Sequence, residues 1–249
     1  MRAMVLAAGL GTRLRPLTND RPKALVEING RSLLEITLAR LRSFGIGEVI
    51  VNTHHFAEMI AEHLKAHDNF GMRVEISREE VLLDTGGGLK KAAWFFLKGD
   101  ERFLLHNVDV ISNIDLQRMV EFHRDSDALA TLAVQDRQSS RRLLFDDESW
   151  LCGRQGEGEE AEIVGGGRRY RPLAFCGIHV ISRRIFSLLK EAGAFPLVPA
   201  YLRLAGEGQK VVAFRADEYD WRDLGTVESL AGAGGEVFYK GRKEDPSSG

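Results

Sequence analysis

Between Gly9 and Lys23 the chain reads Gly9-Leu10-Gly11-Thr12-Arg13-Leu14-Arg15-Pro16-Leu17-Thr18-Asn19-Asp20-Arg21-Pro22-Lys23. Glycines in a loop let the backbone approach a ligand closely and turn N–H groups toward phosphate oxygens. Arg13 and Lys23 add cations to the same segment. The chemistry open to such a set is the cradling and neutralisation of a polyphosphate. Farther along, Asp109 lies just beyond the apolar run Phe103-Leu104-Leu105-His106-Asn107, where a carboxylate is presented to a cleft. Asp223 follows Trp221 in a turn that ends on Gly225. Taken singly, each aspartate also reads as a helix N-cap or turn residue.

Two familiar phosphate-binding patterns do not fit. A dinucleotide fingerprint needs a third glycine and an acidic residue closing the second strand. Here Leu14 holds the glycine position, and the strand ends Val51-Asn52-Thr53. A P-loop needs a Gly-Lys-Ser/Thr run, which the sequence lacks.

The elements that must position these residues follow from hydrophobic patterning. Ala3 to Ala8 reads as a small buried strand. Ser32-Leu33-Leu34-Glu35 is a capping box. Leu33, Leu34, Ile36, Thr37, Leu38 and Leu41 then form one apolar helical face, which Gly45 terminates. Glu48 to Asn52 is the next strand, Ala57 to about His67 a helix, and Arg73 to Ser77 a strand. Leu89 to Phe96 is expected to be helical, Phe103 to Asn107 a strand and Asp115 to Arg124 a helix, with Ala128 to Val134 closing this part. Residues 137–171 are rich in charge and glycine and predict hairpins with an exposed loop. Leu173 to Ile181 reads as a strand, Ser182 to about Ala192 as a helix, Val198 to Leu204 as helical and Val211 to Arg215 as a strand. The polar segment Lys240 to Gly249 is expected to be a disordered tail.

Strand–helix–strand repetition at this spacing predicts an α/β fold with a Rossmann-like, mixed but mostly parallel sheet sandwiched by helices. In such sheets ligands bind beyond the carboxyl ends of the strands. That rule points to the loops after Ala8, Ser77 and Asn107. No repeat is present, so no β-helix extension is expected.

Composition narrows the function classes. At 249 residues the chain fits one large α/β domain, and its net charge of −2 offers no basic field for nucleic acid. No apolar stretch approaches the 18 or so residues of a membrane span. The two cysteines, Cys152 and Cys176, show no metal spacing, and with the short apolar start they lead to the expectation of a cytoplasmic protein. His63 and His67, four apart, read as an exposed helical face, since no further ligand stands nearby in sequence. Cys176 is not expected to act as a nucleophile.

The pattern G-x-G-T-R-x-x-P-x-T-x-x-x-P-K resembles the signature of the nucleoside-diphosphate-sugar pyrophosphorylases, the sugar-1-phosphate nucleotidyltransferases, with every fixed position present. Supporting segments are Asp84-Thr85-Gly86-Gly87-Gly88, Asn107-Val108-Asp109-Val110, Phe175-Cys176-Gly177-Ile178 and Trp221-Arg222-Asp223-Leu224-Gly225-Thr226. The similarity runs from Met1 to about Ser229. Within the family the chain is most similar to the short N-acetylmuramic acid 1-phosphate uridylyltransferases of bacterial cell-wall (peptidoglycan) recycling and to mannose-1-phosphate guanylyltransferases.

The resemblance implies partners and roles. The substrates would be a nucleoside triphosphate and a sugar 1-phosphate. Leu6, Ala8 and Gly9 would present backbone groups to the base, and Gly11 and Thr12 would hold the phosphates. Arg13 would neutralise the departing phosphates, and Lys23 would bridge the α-phosphate and the sugar phosphate. Asp109 and Asp223 would be the ligands of Mg²⁺, a hard cation suited to carboxylate and phosphate oxygens. Thr85, Gly86 and Gly87 would meet the base or ribose. Asn107, Gly177 and Glu162 would contact the sugar. The implied layout is one domain over residues 1–239, with a nucleotide-binding part of about 1–135 and a sugar-binding part of about 136–239, as a monomer or homodimer. Two departures stand out: Val108 occupies a position where the family usually has glycine, and the Glu-Lys-Pro motif of many glucose and mannose relatives is absent. A nucleotide-sugar-consuming glycosyltransferase and a non-catalytic sensing subunit are the competing classes. The first usually carries Asp-x-Asp, where this chain has Asn107-Val108-Asp109. The second would be expected to have lost one of Arg13, Lys23, Asp109 and Asp223.

Overall fold

The structure, a computed structural model, describes residues 1–165 and 169–232. The expected tail at 240–249 and Gly166-Gly167 lie outside the described residues. In chain order the first elements are β1 (Arg2–Leu6), β2 (Glu27–Ile28), β3 (Arg31–Ser32), α1 (Leu33–Ser43), β4 (Glu48–Thr53), α2 (Ala57–Ala66) and β5 (Arg73–Arg78). Next come α3 (Asp84–Lys91), α4 (Ala93–Phe96), β6 (Arg102–Asn107), β7 (Val110–Ser112), α5 (Leu116–Ser126) and β8 (Ala130–Gln135). The rest are β9 (Arg141–Phe145), β10 (Leu151–Gly156), β11 (Glu162–Ile163), β12 (Arg171–Ser182), α6 (Ile185–Leu188), α7 (Leu197–Gly206), β13 (Val211–Arg215), β14 (Trp221–Asp223) and α8 (Val227–Ala231).

One mixed sheet runs β11-β10-β9-β12-β6-β1-β4-β5, with β8 paired to β12 and β13. From β6 to β5 its neighbours are parallel. From β6 outward through β12, β9, β10 and β11 they are antiparallel. Strand side chains alternate between faces, and here both faces are covered. Ala3 and Val5 of β1, Val49 and Val51 of β4 and Leu104 of β6 join the core under α1, α2 and α5. Met4, Ile50, Phe103 and Leu105 point the other way, into a core with Leu89, Phe96 and Tyr201. That two-sided burial explains why these strands read as continuous apolar runs.

Ser32 is the N-cap of α1, its Oγ accepting the Glu35 N–H at 3.1 Å, which is one half of the expected capping box. The Glu35 carboxylate instead pairs with Arg31 at 2.7 Å, and Gly45 takes a φ of 75° just after the helix. His63 Nε2 lies 3.0 Å from Ser32 Oγ and His67 stacks on Phe70, so this histidine pair serves packing. Three segments differ from the sequence pattern. The helix expected at 89–96 starts earlier, at Asp84, and is broken at Ala92. Only Ile185–Leu188 of the helix expected at 182–192 forms. Tertiary bonds hold its ends extended: Ser182 and Arg183 N–H groups donate to Leu129 and Glu101 carbonyls, and Lys90 Nζ reaches the Leu189 carbonyl at 3.1 Å. The segment expected as a turn at Trp221 is strand β14, paired with β7.

Three histidines are buried in this frame. Burial pushes His106 and His123 down to about 4 and His179 to about 3. His179 Nδ1 meets Tyr201 Oη at 3.1 Å, and His123 Nδ1 meets Thr131 Oγ1 at 2.9 Å. Because the folded values lie below the ordinary 6.5, the neutral rings contribute stability that is fully present above pH 6.5. It is lost as pH falls toward 4, where the unfolded chain takes up more protons. Urea unfolding at pH 7.5, 6 and 5 should show this decline, with a shallower slope for His179→Gln. An unchanged slope in that variant would contradict the assignment.

Candidate active site

The site begins with register. Leu6, the last residue of β1, pairs with Asn52 of β4 on one side and Asn107 of β6 on the other. Three parallel strands therefore end at one level, and the loops that follow them face a common space. Asn52 locks that level: its Oδ1 accepts the Ala7 N–H at 2.8 Å and its Nδ2 donates to Glu79 Oε1 at 2.7 Å. Glu79 Oε2 in turn accepts the Leu83 N–H at 2.9 Å, which ties the loop after β5 to the same network. The result is a cavity of about 330 Å³ lined by Leu6, Ala7, Ala8, Gly9, Lys23, Asn52, Leu82, Asp84, Thr85, Asn107, Val108 and Asp109.

The glycine-rich loop is anchored from within. Leu14, Thr18 and Ala24 are buried, Gly11 has a φ of 64°, and Thr18 Oγ1 donates to the Gly11 carbonyl at 2.8 Å. These anchors leave Thr12 and Arg13 exposed and turn the half-buried Lys23 into the cavity, where its ammonium pairs with the Asp109 carboxylate.

Asp223 arrives through the short β7–β14 ribbon, in which it pairs with Val110, the residue after Asp109. The Leu224 N–H donates to the Asp109 carbonyl at 2.8 Å, and Asp223 Oδ1 accepts the Gly225 N–H at 2.7 Å. A Cβ on Gly225 would sit 2.6 Å from Asp223 Oδ1 and 2.8 Å from Arg13 Nη2, so Arg13 and Asp223 flank the same turn. Behind it, Trp221 Nε1 donates to the Cys176 carbonyl at 2.7 Å, and the Arg137 guanidinium lies 3.8 Å from the Trp221 ring. Asp109 and Asp223 together offer hard oxygen donors suited to a divalent cation that completes its shell with phosphate and water. Among the described residues no group of three or more histidine, cysteine or carboxylate side chains is placed to hold a metal alone.

The remaining sequence-predicted residues fall in several places. Leu6, Ala8, Gly9, Thr85 and Asn107 line the cavity. Gly86 and Gly87 lie behind its wall in the first turn of α3, where added Cβ atoms would meet the Phe195 ring at 2.2 Å and the Gly193 carbonyl at 2.5 Å. Gly177, with a φ of 73°, backs Asn107, whose Nδ2 would stand 2.8 Å from a Cβ there. Glu162 lies apart on exposed β11, paired with Arg154 at 2.6 Å. It borders a second cavity of about 900 Å³, which shares Thr85 with the first. Val108 is buried in the core and its N–H donates to the Leu6 carbonyl at 3.2 Å, so the turn after β6 accommodates a side chain there. Sequence reasoning did not single out Asn52, Leu82 or Asp84. Asn52 carried a usable signal as the polar end of the apolar run Val49-Ile50-Val51. Cys176 is buried and its thiol is pushed up to about 12 by that burial, which removes it as a nucleophile at neutral pH.

A cavity of small-ligand size at the ends of parallel strands, with the Lys23 ammonium and the Asp109 carboxylate in its lining, has the place and make-up of a ligand site in an open α/β sheet. The chain belongs to the nucleotidyl transferase family, whose model matches residues 2–143. It is 35% identical over 240 residues to the N-acetylmuramate alpha-1-phosphate uridylyltransferase of Caulobacter vibrioides, covering 93% of this chain and 94% of that protein. It is 27% identical to the mannose-1-phosphate guanyltransferase of Debaryomyces hansenii, covering 96% of this chain and 64% of that protein. Among solved structures, HddC from Yersinia pseudotuberculosis complexed with GMP-PN superposes with a TM-score of 0.74 at 21% identity, over 94% of this chain and 97% of that one. A UDP-glucose pyrophosphorylase complexed with UDP-glucose gives a TM-score of 0.74 at 17% identity, over 94% and 96% of the two chains. These two likenesses establish the shared fold.

Arg13 is exposed, so its removal should spare the fold while removing the positive charge beside the Asp223 turn. Arg13→Ala is expected to lower nucleotidyl-transfer turnover by at least about 100-fold, with an unchanged circular dichroism spectrum. Near-normal turnover would contradict the placement.

Proposed function

We propose that this chain transfers a nucleotidyl group from a nucleoside triphosphate to a sugar 1-phosphate, giving a nucleotide sugar and pyrophosphate. What supports the reading is the cavity at the ends of β1, β4 and β6, with the Lys23–Asp109 pair in its lining. Next to it is the turn at Gly225, which Arg13 and Asp223 flank and whose Leu224 N–H donates to the Asp109 carbonyl. An oxygen of the sugar phosphate attacks the α-phosphorus, a new P–O bond forms, and the α–β bridging P–O bond breaks as pyrophosphate departs. The attacking oxygen is already anionic, so the chain needs no nucleophile or base of its own. Its work is to bring two polyanions together and to stabilise the charge that develops, by positioning and electrostatics.

Lys23 is paired with Asp109 in the free protein and can turn the same ammonium to the α-phosphate and the sugar phosphate. Arg13, flanking the Asp223 turn, meets the β- and γ-phosphates that leave. Asp109 and Asp223 would hold Mg²⁺, which supplies Lewis-acid neutralisation of phosphate charge when bound. Backbone groups at Leu6, Ala8 and Gly9 receive the base and Gly11 and Thr12 the phosphates. Thr85 faces the nucleotide, with Gly86 and Gly87 allowing its helix to sit against the chain behind. Asn107, backed by Gly177, contacts the sugar, and Glu162 meets a sugar hydroxyl. In this reading residues 1–135 handle the nucleotide and 136–239 the sugar.

The leading substrate pair is UTP with N-acetylmuramic acid 1-phosphate, supported by the relative that shares 35% identity along nearly its whole length. GTP with mannose 1-phosphate is the second reading, supported by a more distant relative. A role in cell-wall recycling in the cytoplasm accords with the first pair. Cys152 and Cys176 are both free and buried, as a reducing compartment allows. Among the described residues no helix is long and apolar enough to cross a membrane.

The test is pyrophosphate release by purified protein with Mg²⁺. It crosses the four common ribonucleoside triphosphates and dTTP with N-acetylmuramic acid, N-acetylglucosamine, glucose and mannose 1-phosphates. Release that needs both substrates, is greatest for UTP with N-acetylmuramic acid 1-phosphate and stops with EDTA is expected. Transfer of sugar from a nucleotide sugar to an acceptor, without pyrophosphate chemistry, would favour a glycosyltransferase instead.

A further inference from the structure

The second cavity, about 900 Å³, is near the upper end for small-ligand sites, roughly 300–1,000 Å³. The two cavities have one lining residue in common, Thr85, so they are neighbours, and in the transferase reading the second receives the sugar of the sugar 1-phosphate. Its apolar wall is Leu143, Phe175, Pro196, Val198 and Pro199, and Arg142 of β9 stands among them. The charged groups around it are sorted by depth. Glu157, Glu159 and Glu160 are exposed at the rim, as is Arg141. Arg154 is exposed and already paired with Glu162 at 2.6 Å. Arg142 is half-buried, and among the described residues no hydrogen bond or ion pair engages its side chain. Gln155, its cross-strand neighbour on β10, is bonded elsewhere, to the Glu159 carbonyl at 3.3 Å. A guanidinium that lines a cavity with no protein partner of its own is free to take an anion bound there. That anion is not the 1-phosphate, because Arg142 does not line the cavity that holds Lys23 and Asp109.

We propose that Arg142 reads a carboxylate carried by the sugar itself, and so selects acidic sugar 1-phosphates over neutral ones. The inference rests on the transferase reading above and names a specificity residue within it. The two oxygens of a carboxylate match the guanidinium fork, and charge-assisted pairs of this kind are among the stronger hydrogen bonds. The apolar wall beside Arg142 accepts the methyl groups of acyl or lactyl substituents.

N-acetylmuramic acid 1-phosphate and N-acetylglucosamine 1-phosphate differ only by a lactyl ether, which makes them the discriminating pair. The quantity to measure is the ratio of their kcat/KM values for wild type, Arg142→Gln and Arg142→Lys. Wild type should favour the acidic sugar, and Arg142→Gln should cut the ratio by about 10- to 100-fold. Arg142→Lys, which keeps the charge and loses the fork, should restore part of it. An unchanged ratio in Arg142→Gln, or no wild-type preference, overturns the proposal. If wild type turns over neither of these two but acts on another pair of the grid above, the proposal is overturned; if it acts on none, the transferase reading fails. Arg142 is then judged by the same ratio taken from the Kd values of UDP-N-acetylmuramic acid and UDP-N-acetylglucosamine.

Discussion

The parallel pairing of β1 with β4 and β6 is the constraint on which the rest of the molecule depends. Backbone hydrogen bonds set Asn107, Leu6 and Asn52 in one row, and every loop with chemistry to do starts from that row or returns to it. The glycine-rich loop leaves after β1, and Asp109 stands two residues past the end of β6. The Asn52–Glu79 network carries the same level to the loop after β5. A one-residue slip in this register would turn alternate side chains of β1 to the opposite face and exchange the two cores. Both faces being packed, the register is strongly specified, and the site inherits its precision from the sheet.

On that frame the charges hold one another until substrate arrives. Lys23 and Asp109 are both largely buried, with side chains 11% and 14% exposed. Removing either partner would leave the other poorly hydrated and unpaired, a costly arrangement for a partly buried charge. The pair keeps an ammonium and a carboxylate in place at the mouth of a cavity that otherwise has mainly backbone and apolar walls. In the proposed reaction an incoming phosphate would give the ammonium a new anion, and a divalent cation would give the carboxylate a new counter-charge.

Much of this was legible in the sequence, and the reasons differ by region. In the first half, short strands buried on both faces and capped helices leave clear signals: Ser32, Gly45 and the Val49-Ile50-Val51 run mark their elements almost to the residue. The G-x-G-T-R loop announced its cations, and the fold rule for parallel sheets pointed to the strand ends that line the first cavity. The second half was harder because tertiary bonds override local preference, as at Ser182 and Leu189, whose backbone partners come from distant elements. The Asp84-Thr85-Gly86-Gly87-Gly88 run reads as a loop by propensity. Its glycines instead let a helix pack against Phe195, Gly193 and Glu79. Arg142 gave no local signal, since what distinguishes it is the lack of a partner across a cavity.

The proposed site works by positioning and charge, with no covalent step on the protein. The stereochemical course at the α-phosphorus tests this most directly. With a chiral α-thio nucleoside triphosphate as donor, a single in-line attack by the sugar phosphate predicts a nucleotide sugar of inverted configuration at that phosphorus. Retention would require two displacements through a nucleotidylated side chain, and would contradict this account of Arg13, Lys23, Asp109 and Asp223.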